Sequence, residues 1–204
     1  MPRLSSDRAE ERRRHILDAA MRCFIASGFS ATSIRDICRE ADMSIGGVYV
    51  HFDGKEAIVE GLVAELLPDH AFPQTMASDL QGLEEALVAD HIASMRDWNA
   101  GEVAAWLEIV GASHRSPRIA AIFSARLERA TLALSMALAR LGSGDMSGSA
   151  ARVHAQALLA ALEGLSLVAL LQPSANDEGR AKAARILVRG VLGSVIPDVR
   201  RAGA

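Results

Sequence analysis

The chain is 204 residues long, half of them hydrophobic but only 4% aromatic, with a formal charge of −3. That length suits one or two domains with a substantial core, and a make-up dominated by Ala and Leu, with few alternating β-branched runs, predicts an all-α fold. The slight acidity excludes a protein coated with nucleic acid. A dedicated DNA-binding face stays possible, but residues 1–60 carry nine Arg and Lys against ten Asp and Glu, so the positive groups must segregate onto one side.

In chain order, residues 1–7 read as a disordered arm that lacks the apolar stretch of a signal peptide. A first helix follows over about Arg8–Ser27, with Ile16, Ala20, Cys23 and Phe24 facing inward. Its opening cluster of Arg8, Arg12, Arg13 and Arg14 is either a solvated face or a set of phosphate contacts. Gly28 stops the helix and Phe29 belongs in the core. Thr32 and Ser33 can cap a second helix whose apolar face is Ile34, Ile37, Cys38 and Ala41. Ala41-Asp42-Met43 is too short for a loop, so the chain must turn sharply. Ser44 then caps a brief third helix from Ile45 to Val50. Asp53 and Glu56 have the D-x-x-E form of a capping box for a fourth helix over Gly54–Leu67, ended by Pro68. Helix, tight turn, short helix is a helix-turn-helix signature. Ser44 and Gly46 place backbone N–H groups at a helix start, where phosphate is favoured. Tyr49, His51 and Lys55 add phosphate-contact side chains, and Phe52 reads as the core anchor.

Residues 68–78 read as a connector. Helices are then expected over Asp79–Trp98 (stopped by Asn99-Ala100-Gly101), Glu102–His114, Ser116–Leu141, Ser149–Gln172 and Ser174–Ile196. The Ser116-Pro117 pair is a cap with proline at the first helical position. In the helix after residue 148, Ala155, Ala157, Ala160, Ala161 and Gly164 interleave with leucines, so apolar surface runs almost all the way round. The final helix carries one stripe of Ala184, Leu187, Val188, Val191, Leu192 and Val195. Two such helices from each of two chains would form a four-helix bundle. A homodimer also suits two recognition helices that must reach successive major grooves, ~34 Å apart. The run Ala155–Leu171 is broken by Gln156 and Glu163 and does not read as a membrane span; a soluble, cytoplasmic protein is expected.

The spacing S-x-G-x-x-Y-x-H-F-x-x-K, carried by Ser44, Gly46, Tyr49, His51, Phe52 and Lys55, resembles the recognition-helix pattern of the TetR family of bacterial one-component transcriptional regulators. The segments WLEIVGASHRSPRIAAIF and ALLAALEGLSLVALLQ resemble the regulatory domain of its BetI-like branch. The resemblance implies a three-helix DNA-binding domain over residues 10–70 and a helical effector-binding and dimerisation domain over 79–197. It implies a repressor, not an enzyme, that binds a palindromic double-stranded operator and is released by a small molecule. It assigns phosphate contacts to Thr32, Ser33 or both, Tyr49 and His51, a backbone or base contact to Arg35, and added charge to Lys55.

The pattern departs from its relatives at Ile45, Gly47 and Val50, where polar side chains are common. Ile45 or Val50 could meet a thymine methyl, and Gly47 points to close backbone approach. The same departures leave open a helical small-molecule binder or enzyme that has lost DNA binding. Effector candidates are His91, Met95, Trp98, Trp106, Glu108, Phe123 and Gln156, with His114, Arg126 and Glu163 beside them. Trp with Glu would suit a cationic or amphipathic ligand. No cofactor is expected: the histidines (15, 51, 70, 91, 114, 154) show no H-x-x-x-H or H-x-H spacing, and Cys23 and Cys38 read as small core residues.

Overall fold

A computed structural model of the chain describes residues 3–66, 77–96, 99–142, 148–171 and 177–194. Its helices are α1 (Arg3–Ser27), α2 (Ile34–Glu40), α3 (Ile45–Tyr49), α4 (Lys55–Leu66), α5 (Leu80–Arg96), α6 (Ala100–Ala112), α7 (Pro117–Leu141), α8 (Gly148–Leu171) and α9 (Asp177–Gly193). The described residues contain no strand, as the composition requires. Most of the expected connector, the loop after residue 142 and the ends of the last two expected helices lie outside the described residues.

Two compact units result, one of Met1–Pro68 with Asn99–Ala125, the other of Asp69–Trp98 with Arg126–Ala204. This grouping differs from the expected 10–70 and 79–197 division, because α6 shares the core of the N-terminal helices. Ala105, Ile109 and Ala112 join Ile16, Leu17, Phe24, Ile37, Val48, Phe52, Ile58, Val59 and Leu62 in one apolar cluster. Each large side chain fully buried there contributes about 1.5–3 kcal/mol. Phe24 and Phe29 meet edge to face, centroids 5.2 Å apart.

The local stops and starts follow the sequence with three corrections. Residues 3–7 are helical, not an arm; no Gly or Pro interrupts them. Asn99, expected as a stop, instead caps α6, its side chain accepting from Gly101 and Glu102 N–H while Glu102 answers the Asn99 N–H. Asp53 does not begin α4: the Gly54 carbonyl accepts the first helical bond, from Ile58 N at 3.2 Å, and the Asp53 carboxylate pairs with Arg118 at 2.9 Å. Elsewhere the caps fall where the residue types place them. Gly28 (φ 84°) closes α1, Ser33 and Asp36 form a reciprocal capping box on α2, and Ser44 caps α3. The turn between α2 and α3 runs through Asp42 at φ 49°, a left-handed conformation that Asp tolerates better than most residues.

In the second unit, Leu83, Leu87 and Val88 of α5, Leu134 and Leu138 of α7, Ala151, Ala155, Leu158 and Leu162 of α8, and Ala184, Val188 and Leu192 of α9 form one core. Small residues on α8 and α9 permit that packing. The buried Glu84 carboxylate is neutralised by Arg189 at 2.8 Å and Arg185 at 3.4 Å.

Replacing Asp42 by a β-branched residue forces a side chain into a region it rarely adopts. Asp42→Val is expected to lower unfolding free energy by about 1–2 kcal/mol, read by urea denaturation. An unchanged midpoint would mean that the turn is free to re-form elsewhere.

Candidate nucleic-acid interface

The α2–turn–α3 element is fixed from beneath. Ile37, Cys38, Val48 and Phe52 are buried, so α3 can expose only its other side. That outer side carries Ile45 (45% exposed), Tyr49 (51%) and Val50 (80%), with Ser44, Gly46, the α2 cap Ser33 and, on α2, Arg35 also exposed. His51 is half-buried; its carbonyl accepts from Arg13 Nη1 at 3.3 Å, and the Arg13 guanidinium lies 4.4 Å from the centre of the Phe52 ring. Arg13 is thus a clamp across the end of α3.

Two glycines in α3 differ in kind. A Cβ on Gly47 would sit 3.2 Å from Ser44 Oγ and 3.3 Å from Met43 Cε, so a side chain here would require one of these neighbours to shift by a few tenths of an ångström. Its N–H is also taken, donating to Ser44 Oγ at 3.1 Å. A Cβ on Gly46 would meet nothing within 4 Å. Only Gly46 therefore leaves open outer surface where a side chain could stand.

Two residues expected to touch phosphate belong to the fold instead. Thr32 is 3% exposed, and its hydroxyl is directed at the carbonyls of Gly28 (2.8 Å) and Cys23 (3.2 Å). The capping falls to Ser33, whose Oγ accepts from Asp36 N–H at 3.3 Å and donates to Asp36 Oδ2 at 2.6 Å. Those bonds from Ser33 hold the Asp36 carboxyl below its ordinary pKa. Lys55 is turned inward: Nζ donates to Phe29 O at 2.7 Å and Thr32 O at 2.8 Å and lies 4.4 Å over the Phe29 ring. Burial lowers its pKa, with Glu56 and Glu108 opposing.

Glu108, an expected effector residue, completes this arrangement from α6. Its carboxylate accepts from Phe29 N at 2.9 Å and Ser30 N at 3.0 Å. The Ser30 backbone bond leads the effects that hold its carboxyl below the ordinary value. A Cβ on Gly28 would lie 2.8 Å from Glu108 Oε2, so that glycine is needed twice, for its φ and for the space.

The other effector candidates are divided between the two units. Trp106 and Phe123 pack edge to face at 5.4 Å, against the core of the first unit. His91 and Gln156 lie in the second unit, His91 buried and Gln156 exposed. Met95 falls within α5, and Trp98 lies outside the described residues. His114 is exposed, and Arg126 pairs with Glu163 at 3.6 Å. Sequence reasoning passed over Glu84, Arg185 and Arg189, though opposite charges interrupting apolar stripes were a readable signal. Among the described residues, no group of three His, Cys, Asp or Glu could hold a metal ion, and no helix is long and apolar enough to cross a membrane.

Residues 16–62 match the family profile described as bacterial regulatory proteins, tetR family, and residues 97–196 match the C-terminal domain of BetI-type transcriptional repressors. The HTH-type transcriptional regulator SrpR of Pseudomonas putida is 34% identical over 95 residues, 47% of this chain and 43% of that protein. The uncharacterized HTH-type transcriptional regulator TtgW, also of Pseudomonas putida, is 32% identical over 95 residues, 47% of this chain and 69% of that protein. The chain thus matches less than half the length of SrpR. The fold is also that of the SmeT–triclosan complex, at 20% identity, 93% of each chain and a TM-score of 0.72; SmeT is described as the repressor of the Stenotrophomonas maltophilia multidrug efflux pump SmeDEF.

Lys55→Met leaves two carbonyls without their donor and is expected to cost about 1–3 kcal/mol; Tyr49→Phe should stay within about 0.5 kcal/mol of the parent. Equal losses in urea unfolding would contradict the placement of Lys55. A carboxyl depressed in the folded state stabilises above its unfolded pKa and loses that contribution as pH falls through the folded value. The Glu108 contribution is therefore complete above the ordinary 4.5 and fades below it. Glu108→Gln should flatten this acid limb in melting curves taken between neutral and acid pH.

Proposed function

The chain belongs to the TetR family of bacterial regulatory proteins, and on that premise we propose that it is a cytoplasmic, ligand-responsive transcriptional repressor that binds a palindromic operator as a homodimer. The observation that carries this reading is the outer face of α3. A packed unit presents Ile45, Tyr49 and Val50 to solvent on one short helix, with Arg35 exposed on the helix that supports it. Tyr49, His51, Ser33 and Ser44 supply phosphate contacts, Arg35 a phosphate or base contact, and Gly46 the close approach. Ile45 and Val50 offer apolar contact to thymine methyls. With so few charged groups on this face, much of the discrimination falls to the shape and stiffness of the DNA.

The dimer is supported by apolar surface on the two C-terminal helices. Val153, Leu167, Val168 and Leu171 of α8, with Ile186 and Leu187 of α9, are all exposed, apolar surface that pairing of these helices across a two-fold would cover. SmeT, whose fold the chain shares, is described in complex with triclosan, which supports a small-molecule effector for this chain. A ligand favouring one of two head separations would weaken DNA binding by its differential affinity for the two states, typically about 1–3 kcal/mol. The alternative, a helical binder or enzyme that has lost DNA binding, is not favoured. Its motives were Gly47 and Val50: a side chain at Gly47 would crowd Ser44 and Met43, and Val50 is 80% exposed, open to apolar contact with a base.

The test uses fluorescence anisotropy with DNA from upstream of the protein's own coding sequence, over a salt series. Arg35→Ala should reduce the slope of log affinity against log salt by about one for each phosphate that the arginine neutralises. Gly46→Ala should leave the protein as stable as before or up to about 1 kcal/mol more so, yet weaken DNA binding at least several-fold. Absence of salt-dependent binding by a folded dimer, or insensitivity to both substitutions, overturns the reading.

A further inference from the structure

The second unit contains a cavity of about 120 Å³ lined by His91 of α5, Leu165, Val168 and Ala169 of α8, and Gly179, Arg180 and Ala183 of α9. Its walls are mostly aliphatic, and a volume of this order is close to that in which an engineered apolar cavity takes up benzene. One charged group faces this apolar surround. Arg180 stands one turn before Ala184 on the buried stripe continued by Val188 and Leu192, so its guanidinium is drawn inward and its side chain is only 19% exposed. Asp177 approaches Nη1 at 3.6 Å, and that carboxylate is itself 55% exposed, a geometry worth little in water. Nε is buried and meets no acceptor among the described residues. An unanswered donor on a desolvated cation is costly, and a bidentate acceptor is the partner its planar fork matches.

His91 forms the other polar wall. It is 6% exposed, and Ser166 Oγ lies 3.4 Å from its Nδ1 while bonding to the Leu162 carbonyl at 3.1 Å. Burial keeps the imidazole below its ordinary pKa, with Asp90 opposing and Arg180 adding to the effect. The ring is therefore neutral at pH 7, and the positive charge at the cavity is that of Arg180.

We propose that this cavity binds a small apolar monocarboxylate, the carboxylate on the Arg180 guanidinium and the hydrocarbon part against Leu165, Val168, Ala169 and Ala183. The assignment rests on the reading of the C-terminal half as the effector-binding part and gives that effector a chemical class. Of the cationic or amphipathic ligand expected from Trp and Glu it keeps the amphipathic half alone, since Glu108 is committed to Phe29 and Ser30.

Isothermal titration of the full chain with benzoate, and with benzamide as its neutral counterpart, tests the proposal. Benzoate should bind once per subunit, and benzamide about tenfold more weakly or worse, as loss of a charge-assisted hydrogen bond implies. Arg180→Met should abolish the preference for the acid. Ala183→Leu, which fills the cavity and keeps the charge, should abolish binding of both, and it keeps the proposal testable should Arg180→Met fail to fold. No binding at millimolar benzoate, equal affinity for acid and amide, or unchanged binding by a folded Ala183→Leu variant each overturns it. The anisotropy assay, repeated with saturating benzoate, separates the two readings. Benzoate bound with DNA affinity unchanged retains the site and overturns its role as effector seat. A chain that never binds DNA defeats the repressor reading, while calorimetry still decides the cavity.

Discussion

The short loop between α1 and α2 is gripped by two opposite charges, and the position of α3 depends on that grip. From α6, the Glu108 carboxylate accepts the N–H groups of Phe29 and Ser30; from α4, the Lys55 ammonium answers the carbonyls of Phe29 and Thr32. Backbone groups in such a loop cannot be left unpaired when buried. Here they are paired with ions whose own bonds are stronger than neutral ones. The loop leads straight into Ser33, the cap of α2, and α2 in turn sets where α3 lies. Opposite charges on flanking helices thus fix the starting point of the helix that supports α3.

This division of labour explains why so little conventional phosphate chemistry remains on the outer face of α3. Apart from Arg35, several arginines of this unit have partners within the chain: Arg13 on His51 and Phe52, and, in exposed surface pairs, Arg14 on Glu65, Arg22 on Glu40 and Arg39 on Asp36. Beside Arg35, what α3 itself turns outward is small or apolar, with the Tyr49 ring. A surface of that kind makes shape complementarity weigh more than ion pairing, consistent with a chain of overall negative charge.

Helices and the sharp turn were legible because their signals are local: apolar spacing at three and four residues, capping serines, Gly28 and Pro117. Errors fell where two local signals competed or where a distant partner decided. Thr32 and Ser33 are adjacent and equally good caps on paper; only the proximity of the Gly28 and Cys23 carbonyls sends Thr32 inward. Asn99-Ala100-Gly101 contains a glycine that reads as a stop, yet the N-x-x-E pattern with Glu102 was there to be read as a start. Lys55 could not be placed from its neighbours, since its acceptors lie more than twenty residues upstream. Arg180 could have been, being in phase with Ala184 and Val188, but a lone arginine near a helix start is easily taken for a solvated one.

The carboxylate of Glu84 is met by two guanidinium groups, Arg185 and Arg189, that stand four residues apart on α9. Four residues is about one turn of helix. If α9 slid along its own axis by that step in either direction, one arginine would still arrive opposite Glu84, so the ion pairs on their own do not single out one register. The choice falls to the apolar stripe, where Ala184, Val188 and Leu192 differ in bulk and a displaced stripe would put a large residue into a space shaped for a small one. Charge holds the two helices together, and side-chain volume decides where along each other they come to rest.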